Sequence, residues 1–250
     1  MEQILALVGG LAWTVVYVQA IRVGLRDRTY AIPVGALALN FAWEATYSVQ
    51  GFTGSADTAQ VVMNMVWAVA DVVIVYTYLR YGRAELPDFV TRPLFAVWSG
   101  LVFASAFVVQ WLFIAEFGPQ DGGHYSAFLQ NLLMSALFIA LYASRRGPLG
   151  QSLVIAVAKW IGTLAAAFLF GVVEYSPLVL GLGILCSVFD LAYIALLVKN
   201  PAGGGGAPSL RWWKGQRSQP PPTEGQGPQA PAGRPQFCDQ GGPGSGERAH

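Results

Sequence analysis

Residues 177–198 read PLVLGLGILCSVFDLAYIALLV, an apolar run with a single charge, Asp190, and with Lys199 directly after it. A soluble core helix seldom needs more than about 14 apolar residues, whereas crossing a bilayer takes roughly 20. This stretch therefore predicts a membrane-spanning helix, Pro177–Val198. Six more runs meet the same requirement: Ile4–Ile21, Ala31–Gln50, Ala59–Tyr78, Leu94–Ala115, Tyr125–Ser144 and Gln151–Val173. The composition agrees, with 54% apolar and only 12% charged residues.

The basic residues set the expected orientation. Arg22, Arg26 and Arg28 follow the first run, Arg80, Arg83 and Arg92 the third, Arg145 and Arg146 the fifth, and Lys199 the seventh. The alternate connections, Gly51–Thr58, Glu116–His124 and Glu174–Ser176, hold neither Lys nor Arg. By the positive-inside rule this alternation predicts an all-α, seven-helix membrane bundle, with the N-terminus outside and the C-terminus in the cytoplasm. Met1-Glu2-Gln3 lacks a basic leader, so the first run is expected to be retained. Net charge is near zero, at +1, and carries no message about partners.

Two regions follow from composition: a transmembrane domain over residues 1–200 and a Pro/Gly-rich cytoplasmic tail over 201–250. The tail has too few aliphatic residues to offset its ordering entropy and is expected to be disordered. Arg211, Trp212, Trp213, Lys214 and Arg217 would anchor its start among lipid headgroups. The two cysteines, Cys186 and Cys238, lie where a structural disulfide is not expected.

Spans three and seven share a pattern: Asp71 precedes Arg80 by nine residues, as Asp190 precedes Lys199. Trp43-Glu44 and Lys159-Trp160 occupy comparable places in the preceding spans. Two parallel three-helix repeats joined by the fourth helix would produce this.

Glu44, Asp71, Lys159 and Asp190 fall well inside their spans. A charge at mid-membrane costs at least ~2.5–3.5 kcal/mol, so each needs a compensating purpose. At 1.5 Å per residue, Asp190, Asp71, Lys159 and Glu44 lie roughly 12, 11, 12 and 20 Å from the cytoplasmic ends, within one layer. Helical spacing adds Asn40 and Tyr47 to the Glu44 face, and Asn64, Trp67 and Tyr78 to that of Asp71. Cys186, Ser187 and Tyr193 join Asp190, and Thr163 joins Lys159; Gln130 and Asn131 supply amides from span five. The plainer account is that these groups only bind helices together, Lys159 paired with one acid and the amides bridging helices. That accounts well for Lys159, Asn64 and Gln110. Three acids against one base still leave carboxyls without a cation, and a dry, unpaired carboxyl favours its neutral form. Trp98 and Trp111 are expected to face lipid. Trp43, Trp67 and Trp160 stand on or beside the acid-bearing faces, where rings would stabilise a cation.

Asn40-Phe-Ala-Trp-Glu44-Ala-Thr-Tyr47 resembles the Asn-x-x-Trp-Glu signature of the integral-membrane terpene cyclases. Trp67-Ala-Val-Ala-Asp71, Gln130-Asn131-Leu-Leu-Met134-Ser135 and Val188-Phe-Asp190-Leu-Ala-Tyr193 look like further segments of that family, in order. The likeness covers most of residues 1–200 and none of the tail. It implies two essential acids, matched here by Glu44 and Asp190. It also implies class II-like chemistry, in which an acid protonates a terminal alkene or epoxide and the prenyl chain closes into rings, an isomerase- or lyase-type reaction. Neither an Asp-Asp-x-x-Asp nor an Asp-x-Asp-Asp motif is present, so neither a metal nor any other cofactor is expected.

On this basis Glu44 or Asp190 is the proton donor and the other its hydrogen-bonded partner or final base. Asp71 orients the donor, and Asn40, Trp43, Tyr47, Trp67, Asn131, Trp160 and Tyr193 bind substrate. The expected partners are a lipophilic prenylated small molecule, a farnesylated aromatic or indole compound, membrane lipid, and a prenyltransferase of the same pathway; nucleic acid is not expected. Arg far outnumbers Lys, and Ala, Gly and Pro abound, which points to a GC-rich bacterial genome, the farnesyl-indole branch and a multi-pass protein of the cell membrane. The main rival is a three-plus-one-plus-three transporter. Alternating access relies on helices broken near mid-membrane, yet Pro33, Pro93 and Pro177 all stand at span starts. A retinal protein would need a lysine deep in span seven, and Lys199 lies at its end. A structural or receptor role would leave the unpaired acids unexplained.

Overall fold

A computed structural model describes residues 1–53 and 58–200, and all regular structure among them is helical. The expected tail with its Trp/Arg anchor and Cys238, and part of the connection after the second span, lie outside the described residues. The order is α1 (Glu2–Asp27), α2 (Val34–Thr53), α3 (Thr58–Tyr81), a short 3-10 turn (Gly82–Glu85), α4 (Arg92–Ser144), α5 (Leu153–Ala166), a π-helical continuation (Ala167–Val173) and α6 (Pro177–Lys199). The prolines act as starters. Pro93 and Pro177 lie in first turns capped by Thr91 and Ser176, whose hydroxyls accept from the amides of Leu94 and Val179.

Spans four and five, expected as separate helices, are the two helical arms on either side of a break within α4. Gly118 interrupts it with φ 77° and ψ 171°, and Pro119 follows. Gln110 Nε2 donates to Gln130 Oε1 at 3.0 Å; in a straight helix twenty residues would part them by about 30 Å. The chain therefore doubles back at Gly118. A Cβ at Gly122 would lie 2.6 Å from the Phe113 carbonyl oxygen, so a bare backbone permits the close approach.

Five helical stretches are long and apolar enough to cross a membrane: Glu2–Asp27, Gln60–Glu85, Arg92–Ser144, Leu153–Val173 and Pro177–Lys199. The polar content of α2 includes Asn40, Glu44, Thr46 and Ser48, and these side chains turn inward or are half-buried. Packing is that of helices in lipid, with small groups between helices and large aliphatics outside. On α1, Gly9, Ala12, Ala20 and Gly24 are buried while Leu7, Leu11, Val18 and Leu25 face outward. Trp98 and Trp111 face outward as expected, at 52% and 58% exposure.

The neighbours repeat. Helix α1 packs on α5 and α3, and α2 on α3. The second arm of α4 meets α2 through Gly123 and Leu137, and α6 through Phe128 and Phe138; α5 packs on α6. Exchanging α1, α2 and α3 for the second arm, α5 and α6 leaves this pattern unchanged. The first arm instead fills the outer flank of α2, where Phe41 meets Phe103 and Phe107 edge-on.

One end of the bundle is stapled by Arg145. Its guanidinium grips Glu85 through Nε at 2.9 Å and Nη2 at 3.1 Å, and donates to Thr29 Oγ1 and to the carbonyls of Tyr30 and Leu149. It also lies over the Tyr30 ring, 4.5 Å from the centroid. The loop after α1, the turn after α3 and the loop after α4 are thus held by one side chain. The π-helical stretch at the end of span six has no proline to announce it, and it was not foreseen from sequence.

Candidate active site

The polar faces form two buried centres, one in each three-helix set. The first joins α1, α2 and α3. Asn40 and Glu44 stand one turn apart on α2 and so share a face. The Tyr17 hydroxyl, from α1, donates to Glu44 Oε1. Asn40 Nδ2 directs one hydrogen across to α3, to Asp71 Oδ2 at 3.0 Å, and shares the other between the Tyr17 oxygen and Glu44 Oε1, the latter at 3.1 Å. Glu44 is 2% exposed and Asp71 fully buried. Their other oxygens, Glu44 Oε2 and Asp71 Oδ1, are buried without a hydrogen-bond partner. None of the ion pairs among the described residues involves either acid.

Aromatic rings close this centre. Trp67 stacks on Tyr17 with centroids 5.8 Å apart and planes 16° from parallel. Its indole N–H is held by Thr14 Oγ1 at 3.2 Å.

The second centre joins the later arm of α4 to α5 and α6. Lys159 Nζ donates to both Asp190 oxygens at 2.9 Å and to Ser135 Oγ at 2.7 Å. The pair is almost wholly buried, at 1% and 2% side-chain exposure. Asn131 donates to Thr163 Oγ1 at 2.7 Å, and its own carbonyl oxygen Oδ1 is buried without a partner. Tyr193 stacks on Phe138, with centroids 5.2 Å apart, and its hydroxyl donates to Gln151.

The expected site residues are distributed accordingly. Glu44, Asp71, Asn40 and Trp67 come together; Asp190, Asn131 and Tyr193 gather around the other centre. The hydrogen-bonded partners of Glu44 are Tyr17 and Asn40, and that of Asp190 is Lys159. Trp43 and Tyr47 sit further along α2, ring to ring at 5.0 Å, with the Trp43 indole donating to the Gly123 carbonyl at 2.9 Å. The half-buried Trp160 has an indole nitrogen enclosed without an acceptor. Gln130 serves the α4 hairpin, and Asn64 accepts from Gln60 at 2.7 Å.

Tyr17 and Ser135 complete the two centres, and sequence reasoning assigned neither a role. Tyr17 carries no charge at membrane depth and reads as one more aromatic. The clue available was its spacing of four from Trp13, which places both rings on the buried face of α1; they lie 6.5 Å apart.

Residues 1–199 match the family model of Pyr4-like transmembrane terpene cyclases. Among individual proteins, the chain is 32% identical over 171 residues to the Pyr4-family terpene cyclase mfmH of Annulohypoxylon moriforme, covering 66% of this chain and 68% of that protein. It is 30% identical to the terpene cyclase macJ of Penicillium terrestre, over 65% and 64% of the two chains. The terpene cyclase pyr4 of Aspergillus fumigatus is 27% identical over 75% of this chain and 82% of its own. No solved structure matches the chain. Four motifs in order, a helical bundle with apolar outer faces and a match running from the first residue to the end of α6 have one common explanation: this protein belongs to the Pyr4-like transmembrane terpene cyclases.

Proposed function

We propose that the protein cyclises the linear prenyl chain, a farnesyl chain by preference, of an aromatic or indole precursor by protonating its terminal alkene or epoxide. The observation that carries this reading is Glu44. It is a buried acid with one oxygen tied to Tyr17 and Asn40 and the other unengaged. A carboxyl enclosed away from cations favours its neutral form, and only a neutral carboxyl has a proton to give.

In the proposed cycle the Glu44 O–H bond breaks as a C–H bond forms at the terminal alkene, or as an O–H bond forms at the epoxide oxygen and its C–O bond opens, leaving a tertiary cation. Successive alkenes attack it and close the rings, and the faces of Tyr17, Trp67 and Tyr193 stabilise the moving charge. Asp71 keeps the donor oriented through their common ligand Asn40. Asp190, paired with Lys159, takes the last proton, and exchange with water then removes that proton and returns one to Glu44. Trp43, Tyr47, Asn131 and Trp160 contact the substrate.

All seven rods cross the membrane in this reading, each arm of α4 separately, with the N-terminus outside and the Arg145 end in the cytoplasm. A prenyltransferase of the same pathway supplies the substrate. A transporter of similar layout is disfavoured by the Arg145 staple, which joins the two three-helix sets at one end where alternating access would need them to part.

The test is cyclisation of a farnesylated indole by membranes carrying Glu44→Gln, Asp71→Asn or Asp190→Asn. Loss of a general acid costs typically 10²–10⁴-fold in rate. We expect losses of about that size for Glu44→Gln; full turnover by all three variants removes the proposal. Reporter fusions at each terminus check the orientation.

A further inference from the structure

We infer that Tyr17 is a positioning residue for the proton donor: its hydroxyl, with the Asn40 amide, confines the acidic proton of Glu44 to Oε2 and steadies the carboxylate left after transfer. The inference rests on the cyclase reading given above and deepens it.

The assignment follows by counting protons. The Tyr17 oxygen accepts an N–H from Asn40, and its single O–H points to Glu44 Oε1. That same Asn40 N–H is shared with Oε1, 3.1 Å from the nitrogen, because the second amide hydrogen goes to Asp71 Oδ2. An sp² carboxyl oxygen has two lone pairs, and both are then engaged by donors. Oε1 is thus the carbonyl-type oxygen, and a proton on Glu44 resides on Oε2, which has no protein partner. If the proton lay on Oε1 instead, it would face the Tyr17 oxygen, and the tyrosine hydrogen would lose its acceptor in a buried site. A lost acceptor is costly there.

The same two donors matter after the proton leaves. Charge spreads over both carboxylate oxygens, and Oε1 already holds the Tyr17 hydrogen bond and a share of an Asn40 N–H. Hydrogen bonds to an ionised acceptor are roughly twice as strong as neutral ones. They therefore strengthen as the transition state is approached, which is the condition for lowering a barrier. This is how an ordinary carboxylic acid can meet the demand of protonating an alkene. The stacking of Tyr17 on Trp67, itself fixed by Thr14, keeps the phenol from turning away.

The experiment replaces Tyr17 with Phe, and separately with fluorotyrosines of increasing phenol acidity, in the full chain in membranes supplied with a farnesylated indole. Glu44→Gln is the reference variant. Tyr17→Phe keeps the ring and its stack, so the thermal midpoint monitors folding. We expect kcat to fall roughly 10- to 100-fold with KM changed less than about threefold, the range of one charge-assisted hydrogen bond. Across the fluorotyrosines kcat should rise as the phenol becomes a stronger donor. A Tyr17→Phe rate equal to the parent, while Glu44→Gln is inactive, overturns the role of Tyr17 and leaves the cyclase reading standing. A slow Tyr17→Phe with no trend across the fluorotyrosines also overturns it, since a merely structural hydroxyl would behave so. An active Glu44→Gln overturns the donor assignment itself.

Discussion

Lys159 grips Asp190 with its ammonium 2.9 Å from each carboxylate oxygen, inside a helix bundle and nearly sealed from solvent. Removing one member leaves the other charge buried alone, which typically costs 3–5 kcal/mol. Removing both for apolar groups is close to neutral. Lys159→Met should therefore lower the thermal midpoint in detergent sharply, and Lys159→Met/Asp190→Leu should recover most of the loss. Activity should stay absent in the double variant, since the carboxylate that takes the final proton is gone. A double variant that cyclises normally would make Asp190 a purely structural residue.

Asn40 hydrogen-bonds to both Glu44 and Asp71. Asn40→Leu keeps the size and removes the amide, stranding the buried Asp71 Oδ2, while Glu44 Oε1 keeps the Tyr17 hydroxyl. A stranded group costs about 1–3 kcal/mol. The variant should be both less stable and at least about 10-fold slower, an effect larger than that of Gln60→Leu, which strips one hydrogen bond from Asn64. Thermal melts with product analysis read both effects.

Gly118 holds a backbone conformation that is essentially restricted to glycine, at φ 77° and ψ 171°. Gly118→Ala should destabilise by about 1–3 kcal/mol, although open space surrounds the position. Gly100→Ala is the control, because that glycine also faces open space but lies in regular helix. Thermal midpoints should fall for the first variant and hold or rise for the second.

Arg145 donates in a planar fork that an ammonium cannot copy. Arg145→Lys should lose the two-point grip on Glu85 and most bonds to Thr29, Tyr30 and Leu149, lowering stability by roughly 1–3 kcal/mol. Faster proteolysis at the connection 146–152 would be the simplest readout. An unaltered digestion pattern would mean that other contacts hold this end.

Much of this arrangement was legible because hydrophobic length and proline position are local signals. Apolar runs located every helical rod, and the prolines at 93 and 177 marked starts that the structure keeps. The helical faces of Glu44 and Asp190 were also readable, since spacings of three and four are a property of one helix. Pairing was not. Which acid Lys159 would meet depends on how α5 lies against α6, and no spacing within either helix encodes that. The depth estimate put all four ionisable groups in one layer, yet depth says nothing of azimuth, and the groups divide between two centres. Tyr17 escaped notice for a related reason: a phenol is not costly enough at membrane depth to attract attention on its own. The π-helical turns of 167–173 likewise carry no local signal; within them Gly171 packs so close to Leu180 that an added Cβ would lie 2.8 Å from the leucine Cβ.

The fastening at Arg145 has a mechanical corollary. Two leaves bound along one edge can part only along the opposite one, as pages do from a spine. Breathing of the bundle is then a pivot about that margin, and whatever slips between the leaves must come from the unbound side or sideways out of the lipid.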